Sequence, residues 1–553
     1  MNTKCIVVTI AAVLCFLPLA AQNDSGFIRV SANAEPIDTG RFEPAWESLG
    51  KQEVPQWFRN AKFGIWAHWG PQCVEGTGDW MARAMYREGS KEYNYHVEHY
   101  GHPTEIGFKD VIPHFKAEKW NPEELVAYYK KIGARYFVAL ANHHDNFDLW
   151  DSKYQPWNSV NMGPKRDVLA EWEVAARKEG LPFGISIHAD HAWTWYETAQ
   201  RYDLKGEKRG KMYDGNMTAA DGKGKWWEGY DPQDLYAQIH PLSEGGWNVS
   251  TEKIWAWGNG AARPSQKFID NVYNRTIDAI NRYNPDLIYF DVTVLPFWPI
   301  SDAGLKIAAH FYNHNLNISG GKGNGVLTGK LLDEQQRKAV TWDVERGIPD
   351  DIIPYPWQIC TCIGGWHYNT EIYEKGKYKT AEQVIRMLVD VVSKNGNMLL
   401  SVPLRADGTF DEKEATVLDG IGNWMAVNSE SIYDTRPCAV FGETTMKEGT
   451  GTLKGGQVSD FNEKRYAEMT SQEIRFTQTC SDLYVSILSI PEGETSVTIK
   501  SLCEGSKVLP SEIRKITLLG HGNVKFERSA GGLTVFLPEN AGDMVVPVLK
   551  IKK

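Results

Sequence analysis

The 553-residue sequence contains no Cys-x-x-Cys pair and no His-Glu-x-x-His signature. The first absence argues against a zinc ribbon or a thioredoxin-like redox site, and the second against the common metallohydrolase helix. No glycine-rich phosphate turn follows its strand-like runs, so a dinucleotide-binding sheet is not expected. Basic stripes are missing too. Sixty Lys and Arg stand against 70 Asp and Glu, a net charge of −10 that argues against nucleic-acid binding. The apolar run from Cys5 to Leu19 is short for a membrane span and has no charged stop-transfer flank. With Lys4 before it and Ala20-Ala21 after it, residues 1–21 read as a secretory signal. A secreted or periplasmic protein without a membrane anchor is expected.

Cysteine is sparse. Two of the eight fall in that leader, leaving Cys73, Cys360, Cys362, Cys438, Cys480 and Cys503. Cys360 and Cys362 would share one face of a strand as packed thiols. A disulfide within 438–503 stays open in an oxidising compartment. Aromatic residues, by contrast, are plentiful: 21 Trp and 24 Tyr. Some would build core. Others would suit a sugar cleft, where the apolar face of a pyranose packs on an aromatic ring.

About 530 residues after the leader are enough for two to three domains. Short buried strands are predicted at 62–67, 136–141, 183–187 and 287–290, with amphipathic helices at 123–132, 169–179 and 267–283. Strand-like runs at 326–332, 339–342 and 397–403 and helices at 381–393 and 415–427 continue the alternation. The pattern predicts an α/β fold, a (β/α)8-like barrel over 22–436. Residues 192–264 interrupt it with a Trp-rich insertion that includes Trp226, Trp227, Trp247, Trp255 and Trp257, read as a lid or subsite wall. After Arg436-Pro437 short β-like runs between Gly, Asn and Ser turns predict a C-terminal antiparallel β-sandwich over 437–553.

Polar groups cluster at the strand exits, where barrel enzymes carry their chemistry. Asp291 follows Leu287-Ile-Tyr-Phe290 and is either a junction cap or a catalytic carboxylate. A glycosidase needs a second carboxyl group, and Asp343 and Glu345, two apart, are the candidates. Arg346 could depress a neighbouring carboxylate or bind a hydroxyl. His68, His143, His144, His188, Trp80 and Tyr86 lie at or just after exits and together point to a polar, aromatic-walled pocket. Adjacent His143 and His144 should point to opposite sides of a strand, so neither a metal site nor a cofactor is expected.

These residues carry a resemblance. Lys62-Phe-Gly-Ile-Trp-Ala-His-Trp-Gly70, Gly78-Asp-Trp-Met-Ala-Arg-Ala-Met-Tyr86 and Asn142-His-His-Asp-Asn-Phe-Asp-Leu-Trp-Asp151 resemble motifs of the family 29 glycoside hydrolases, the α-L-fucosidases. Asn395 to Gly408 and Trp424 to Pro437 resemble the barrel end of that family. The resemblance implies a barrel followed by a β-sandwich, and retaining hydrolysis of terminal α-L-fucosides on glycans. It implies Asp291 as nucleophile and His68, His143, His144, Trp80 and Tyr86 as sugar contacts, with His188 and Arg346 as weaker placements. Many members carry a Trp-Glu-x-Cys stretch whose Glu is the acid/base; here it is Trp357-Gln358-Ile359-Cys360. Glu345 is therefore expected to take that role, with Asp343 as substitute. Val292 and Asn146, where many members have glycine, leave room for an alternative sugar such as α-L-galactose. Gln358 leaves room for a weak or inactive carbohydrate-binding homologue.

Overall fold

The computed structural model describes residues 26–246, 251–446, 453–454, 457–458, 461–467, 469, 472–490 and 493–553. The expected signal segment and Trp247 lie outside the described residues. Eight parallel strands close a barrel: β1 (Phe63–Ala67), β2 (Tyr136–Asn142), β3 (Phe183–Ile187), β4 (Leu287–Phe290), β5 (Val326–Gly329), β6 (Thr341–Glu345), β7 (Trp357–Cys362) and β8 (Gly396–Ser401). Each pairs with the next, and β8 returns to β1. Their runs are buried on both faces because helices cover the outside and side chains fill the inside, which is why they read as near-continuous apolar stretches.

Two strands are placed differently from the sequence reading, and both differences matter at the mouth. The 339–342 run begins as the end of a short helix, Gln336–Ala339, so β6 starts at Thr341 and carries Asp343 and Glu345 within it. The 326–332 run stops early. A Cβ at Gly329 would lie 2.6 Å from the Val294 carbonyl oxygen, and the chain turns there, with Lys330 N donating to Thr293 O at 3.0 Å. Lys330 is thereby the first residue out of β5.

The helix Ala303–Ile318 was not anticipated. Its polar residues are buried under the segment 38–42, which hides the usual amphipathic signature. Asn313 Oδ1 accepts from Phe42 N at 3.0 Å, His310 Nδ1 from Asp38 N at 2.9 Å, and His314 Nδ1 lies 2.6 Å from Asp38 Oδ2. The stretch just before that segment binds the helix Gln266–Tyr283 through Ser31 to Asp270 and Ala34 to Asn274.

The C-terminal region is an antiparallel sandwich. One six-stranded sheet runs in the order 522–523, 516–518, 548–552, 482–489, 473–478, 436–443; the facing sheet runs 496–499, 532–536, 526–529. Ile474, Phe476, Val485 and Ile487 from the first meet Val497, Ile499, Leu533 and Val535 from the second in one core. Cys438, Cys480 and Cys503 are free thiols, and Cys360 and Cys362 are buried.

Candidate active site

A pocket of about 430 Å³ opens at the C-terminal mouth of the barrel. Asp291, the first residue past β4, forms part of its lining. One carboxylate oxygen accepts from His144 Nε2 at 3.0 Å and lies 3.4 Å from His188 Nδ1. The other is hydrogen-bonded to the Lys330 ammonium, which also donates to Glu345 Oε2 at 2.7 Å. Burial alone would raise the Asp291 pKa, but Lys330, His144 and His188 together hold it well below the carboxylate range. Burial would likewise strip the proton from Lys330, yet Asp291 and Glu345 keep its pKa well above the usual value. One ammonium thus joins two carboxylates from two strand exits.

His68, His143 and His188 also line the pocket, whereas His144 holds Asp291 from outside the lining. His68 contacts Ser401 Oγ through Nδ1 at 3.0 Å and packs against Trp66 and Trp366. His143 Nδ1 meets Gln72 Nε2 at 2.7 Å, and His144 Nδ1 is fixed on the His188 carbonyl at 2.9 Å. Burial lowers the pKa of His68 and His143 well below the ordinary value, and that of His188 to about 4. Neutral imidazoles each present a donor and an acceptor, which suits sugar hydroxyls. Trp80 and Trp255 add aromatic lining, the latter from the Trp-rich insertion.

His143 and His144 do not diverge as strand alternation required. The β2 register shifts against β3 between Leu140 and Asn142, and the strand ends at Asn142. Both histidines lie in the following turn, closed by Asn146 N on His143 O at 3.0 Å, and their ring centroids are 4.5 Å apart. Ring nitrogens of His143, His144 and His188 come within 4.8 Å of one another, as do ligand atoms of Asp79, His143 and His367. Either trio could reach an ion, although His144 is already committed to Asp291 and His143 to Gln72.

Tyr86 does not reach the pocket. It is buried beside it, its hydroxyl bonded to Asp214 Oδ1 at 2.7 Å, Tyr236 at 2.9 Å and Phe108 N at 2.8 Å. Arg346 turns outward to Glu463 and is not part of the lining. Asp343 is sealed inside the barrel, accepting from Gln358 Nε2 at 2.8 Å and Cys360 Sγ at 3.0 Å. Gln358 is equally buried and accepts from Tyr136 at 2.9 Å. A glutamate at 358 would confront Asp343 without solvent, so the amide is what this interior tolerates. Of the two carboxyl candidates on β6, only Glu345 lines the pocket.

Sequence reasoning passed over Lys330, Asp79 and Trp366, all in the pocket wall. Lys330 was legible by the strand-exit logic that found Asp291, had the strand been ended at Gly329. Asp79 and Trp366 sit on loops. Asp79 Oδ1 accepts from His367 Nδ1 at 2.7 Å, a pairing of residues 288 apart in sequence.

A family model described as Alpha-L-fucosidase matches residues 29–430. The plasma alpha-L-fucosidase of Homo sapiens is 27% identical over 402 residues, covering 71% of this chain and 72% of that protein. The tissue alpha-L-fucosidase of Rattus norvegicus is 25% identical over 431 residues, covering 75% and 78%. Among solved structures, an alpha-L-fucosidase superposes with TM-score 0.66 at 24% identity over 93% of this chain and all of that one. Thermotoga maritima alpha-fucosidase gives 0.64 at 24% over 92% and 100%. The solved structures match the fold, and the family model spans well over half of the sequence: the chain belongs to the alpha-L-fucosidase family of glycoside hydrolases.

Proposed function

We propose that the protein is an exported, retaining exo-α-L-fucosidase acting on fucosylated glycans, with Asp291 as nucleophile and Glu345 as acid/base. Asp291 attacks the anomeric carbon while Glu345 protonates the departing oxygen. Glu345 then takes a proton from water, which releases the sugar from Asp291. The observation that carries this reading is the Lys330 bridge. Two hydrogen bonds to one nitrogen, each about 3 Å or less, keep the bonded carboxylate oxygens within about 6 Å. Retention needs carboxyl groups roughly 5–5.5 Å apart, and inversion roughly 6.5–9.5 Å. The bridge favours the first. Lys330 also keeps the nucleophile anionic, and the neutral histidines supply hydroxyl partners.

A pocket, as opposed to an open groove, suits a terminal sugar. The leader sequence around Lys4 and Cys5 to Leu19 supports export, and no helix among the described residues is long and apolar enough to cross a membrane.

The test is hydrolysis of 4-nitrophenyl α-L-fucoside by the mature protein, with Asp291→Asn and Glu345→Gln beside it. Turnover is expected, with Asp291→Asn inactive. Glu345→Gln should retain activity on this activated substrate and lose roughly 10²–10⁴-fold on a fucosyl disaccharide, whose leaving group needs a proton. A wild type that turns over neither substrate overturns the activity. A Glu345→Gln variant fully active on the disaccharide overturns the acid/base assignment.

A further inference from the structure

We propose that the C-terminal sandwich takes part in catalysis: Glu463 is a positioning residue that fixes Glu345 by holding the turn behind it. The inference rests on Glu345 being the acid/base. Glu345 is the last residue of β6, and the next residue, Arg346, has φ +50°, in the left-handed region. A non-glycine residue there is strained and persists only where its surroundings hold it.

The surroundings come largely from the sandwich side of the chain. Arg346 Nε donates to Glu463 Oε1 at 2.7 Å, and Nη2 binds the same oxygen. The guanidinium also lies over the Phe461 ring, 5.1 Å from its centroid. Asn462 takes both backbone groups of Ile348, accepting from N at 3.0 Å and donating to O at 2.9 Å. Arg465 reaches Asp350 Oδ1 at 3.3 Å. Residues 461–465 therefore grip the whole 346–350 turn from outside the barrel, while Glu345 faces the pocket within.

Glu463 is itself anchored. It is buried, and its second oxygen accepts from Thr361 Oγ1 of β7 at 2.6 Å; Lys379 Nζ lies 3.1 Å from the first. The carboxylate thus ties the exits of β6 and β7 together through one atom group. A surface ion pair would need neither the burial nor the second strand. Loss of this tie lets Arg346 relax toward ordinary backbone angles, which re-aims the carboxyl one residue earlier. Misplacement of a catalytic group by about 1 Å is enough to cost roughly 10²-fold.

The experiment compares two substrates on five proteins: wild type, Glu345→Gln, Glu463→Gln, Arg346→Met and the double variant of the last two. A positioning role shows as loss of acid assistance. Glu463→Gln should lower kcat/KM about 10–100-fold on a fucosyl disaccharide and less than about threefold on 4-nitrophenyl α-L-fucoside. Arg346→Met, at a partly exposed site, should reproduce that selectivity and carries the test if the Glu463 variant does not fold. The double variant should be no worse than either single one, since both break one contact. Equal loss on the two substrates, or no loss on either, overturns the inference. If Glu345→Gln is selective and the other two are not, the acid/base reading stands and this one falls. If Glu345→Gln is itself unselective, both fall.

Discussion

Asp291 and Asp390 are both carboxylates held ionised by their neighbours, and they differ in what can reach them. Asp291 sits at the barrel mouth with Lys330, His144 and His188 around it. Asp390 lies on the helix Ala381–Ser393, where barrel and sandwich meet. It is bonded to Arg475, Tyr466 and, at 2.9 Å, Lys394, and is fully buried. Burial works against ionisation in both, and in both the neighbours win, Lys330 with hydrogen bonds from His144 and His188 at Asp291 and Arg475 with Lys394 at Asp390, holding the pKa well below the ordinary value. The difference is access. The Asp390 side chain is 0% exposed and its Arg475 partner is equally sealed, so their charges are spent on each other. Asp291 keeps 22% of its side chain open to the pocket. The same electrostatic device is a clamp when closed and, on the proposed mechanism, a nucleophile when a reacting carbon can approach.

Substitution should separate the two. Asp291→Asn is expected to lose activity by roughly 10⁴-fold or more, since no other group can form the covalent intermediate. Its thermal midpoint should not fall with it, which calorimetry on the same sample checks. Asp390→Asn should do the reverse. It leaves buried Arg475 with only Glu473, 3.3 Å away, as counter-charge, at a cost of up to about 3–5 kcal/mol in unfolding free energy. Activity per folded molecule should stay near that of wild type. The sign with pH follows from a depressed carboxylate: the Asp390 contribution is present above the unfolded value near about 4 and is lost as pH falls below it. Urea unfolding at pH 7 and pH 3 measures both effects; an Asp390→Asn protein as stable as wild type would mean that the hub is not a clamp.

The contrast also explains what the sequence could and could not reveal. Asp291 was legible because four buried residues precede it and a strand end announces itself locally. Most of the strand–helix alternation, though not β7 or the helix Ala303–Ile318, and the sandwich texture were legible for the same reason: each depends on periodicity within a few residues. Asp390 was invisible, buried in a helix that reads as ordinary, because its partners Arg475 and Tyr466 are 85 and 76 residues away. Tyr86 was misjudged by the same blindness. Its position after an exit is real, but Asp214 and Tyr236 from the insertion claim its hydroxyl. Arg346 stands beside Glu345 in sequence and was assigned to the pocket, whereas a residue 117 positions away turns it outward.

Lys330 sharpens the comparison from the cation side. Lys330→Met removes the ammonium that opposes burial at Asp291, so the nucleophile pKa should rise. A carboxylate that is protonated at higher pH loses nucleophilicity there, and the acidic limb of the kcat/KM profile should move up by about one to two units. An unmoved limb would show that His144 and His188 alone hold Asp291 ionised.

Asp343 is the case with burial and no ion pair. It accepts hydrogen bonds from Gln358 and Cys360, but burial outweighs them and raises its pKa to about 6. A raised folded value reverses the sign found at Asp390. The stability it allows is complete below the unfolded value near about 4 and is lost as pH rises through about 6, a decline on the order of 2 kcal/mol. Asp343→Asn should remove that decline in urea unfolding measured between pH 4 and pH 7. Activity on a fucosyl disaccharide should change no more than a few-fold, because Asp343 has no path to the pocket and Glu345, two residues on, does. A loss as large as that of Glu345→Gln would put the acid/base inside the barrel and undo the distinction between open and sealed carboxylates on which the site has been read.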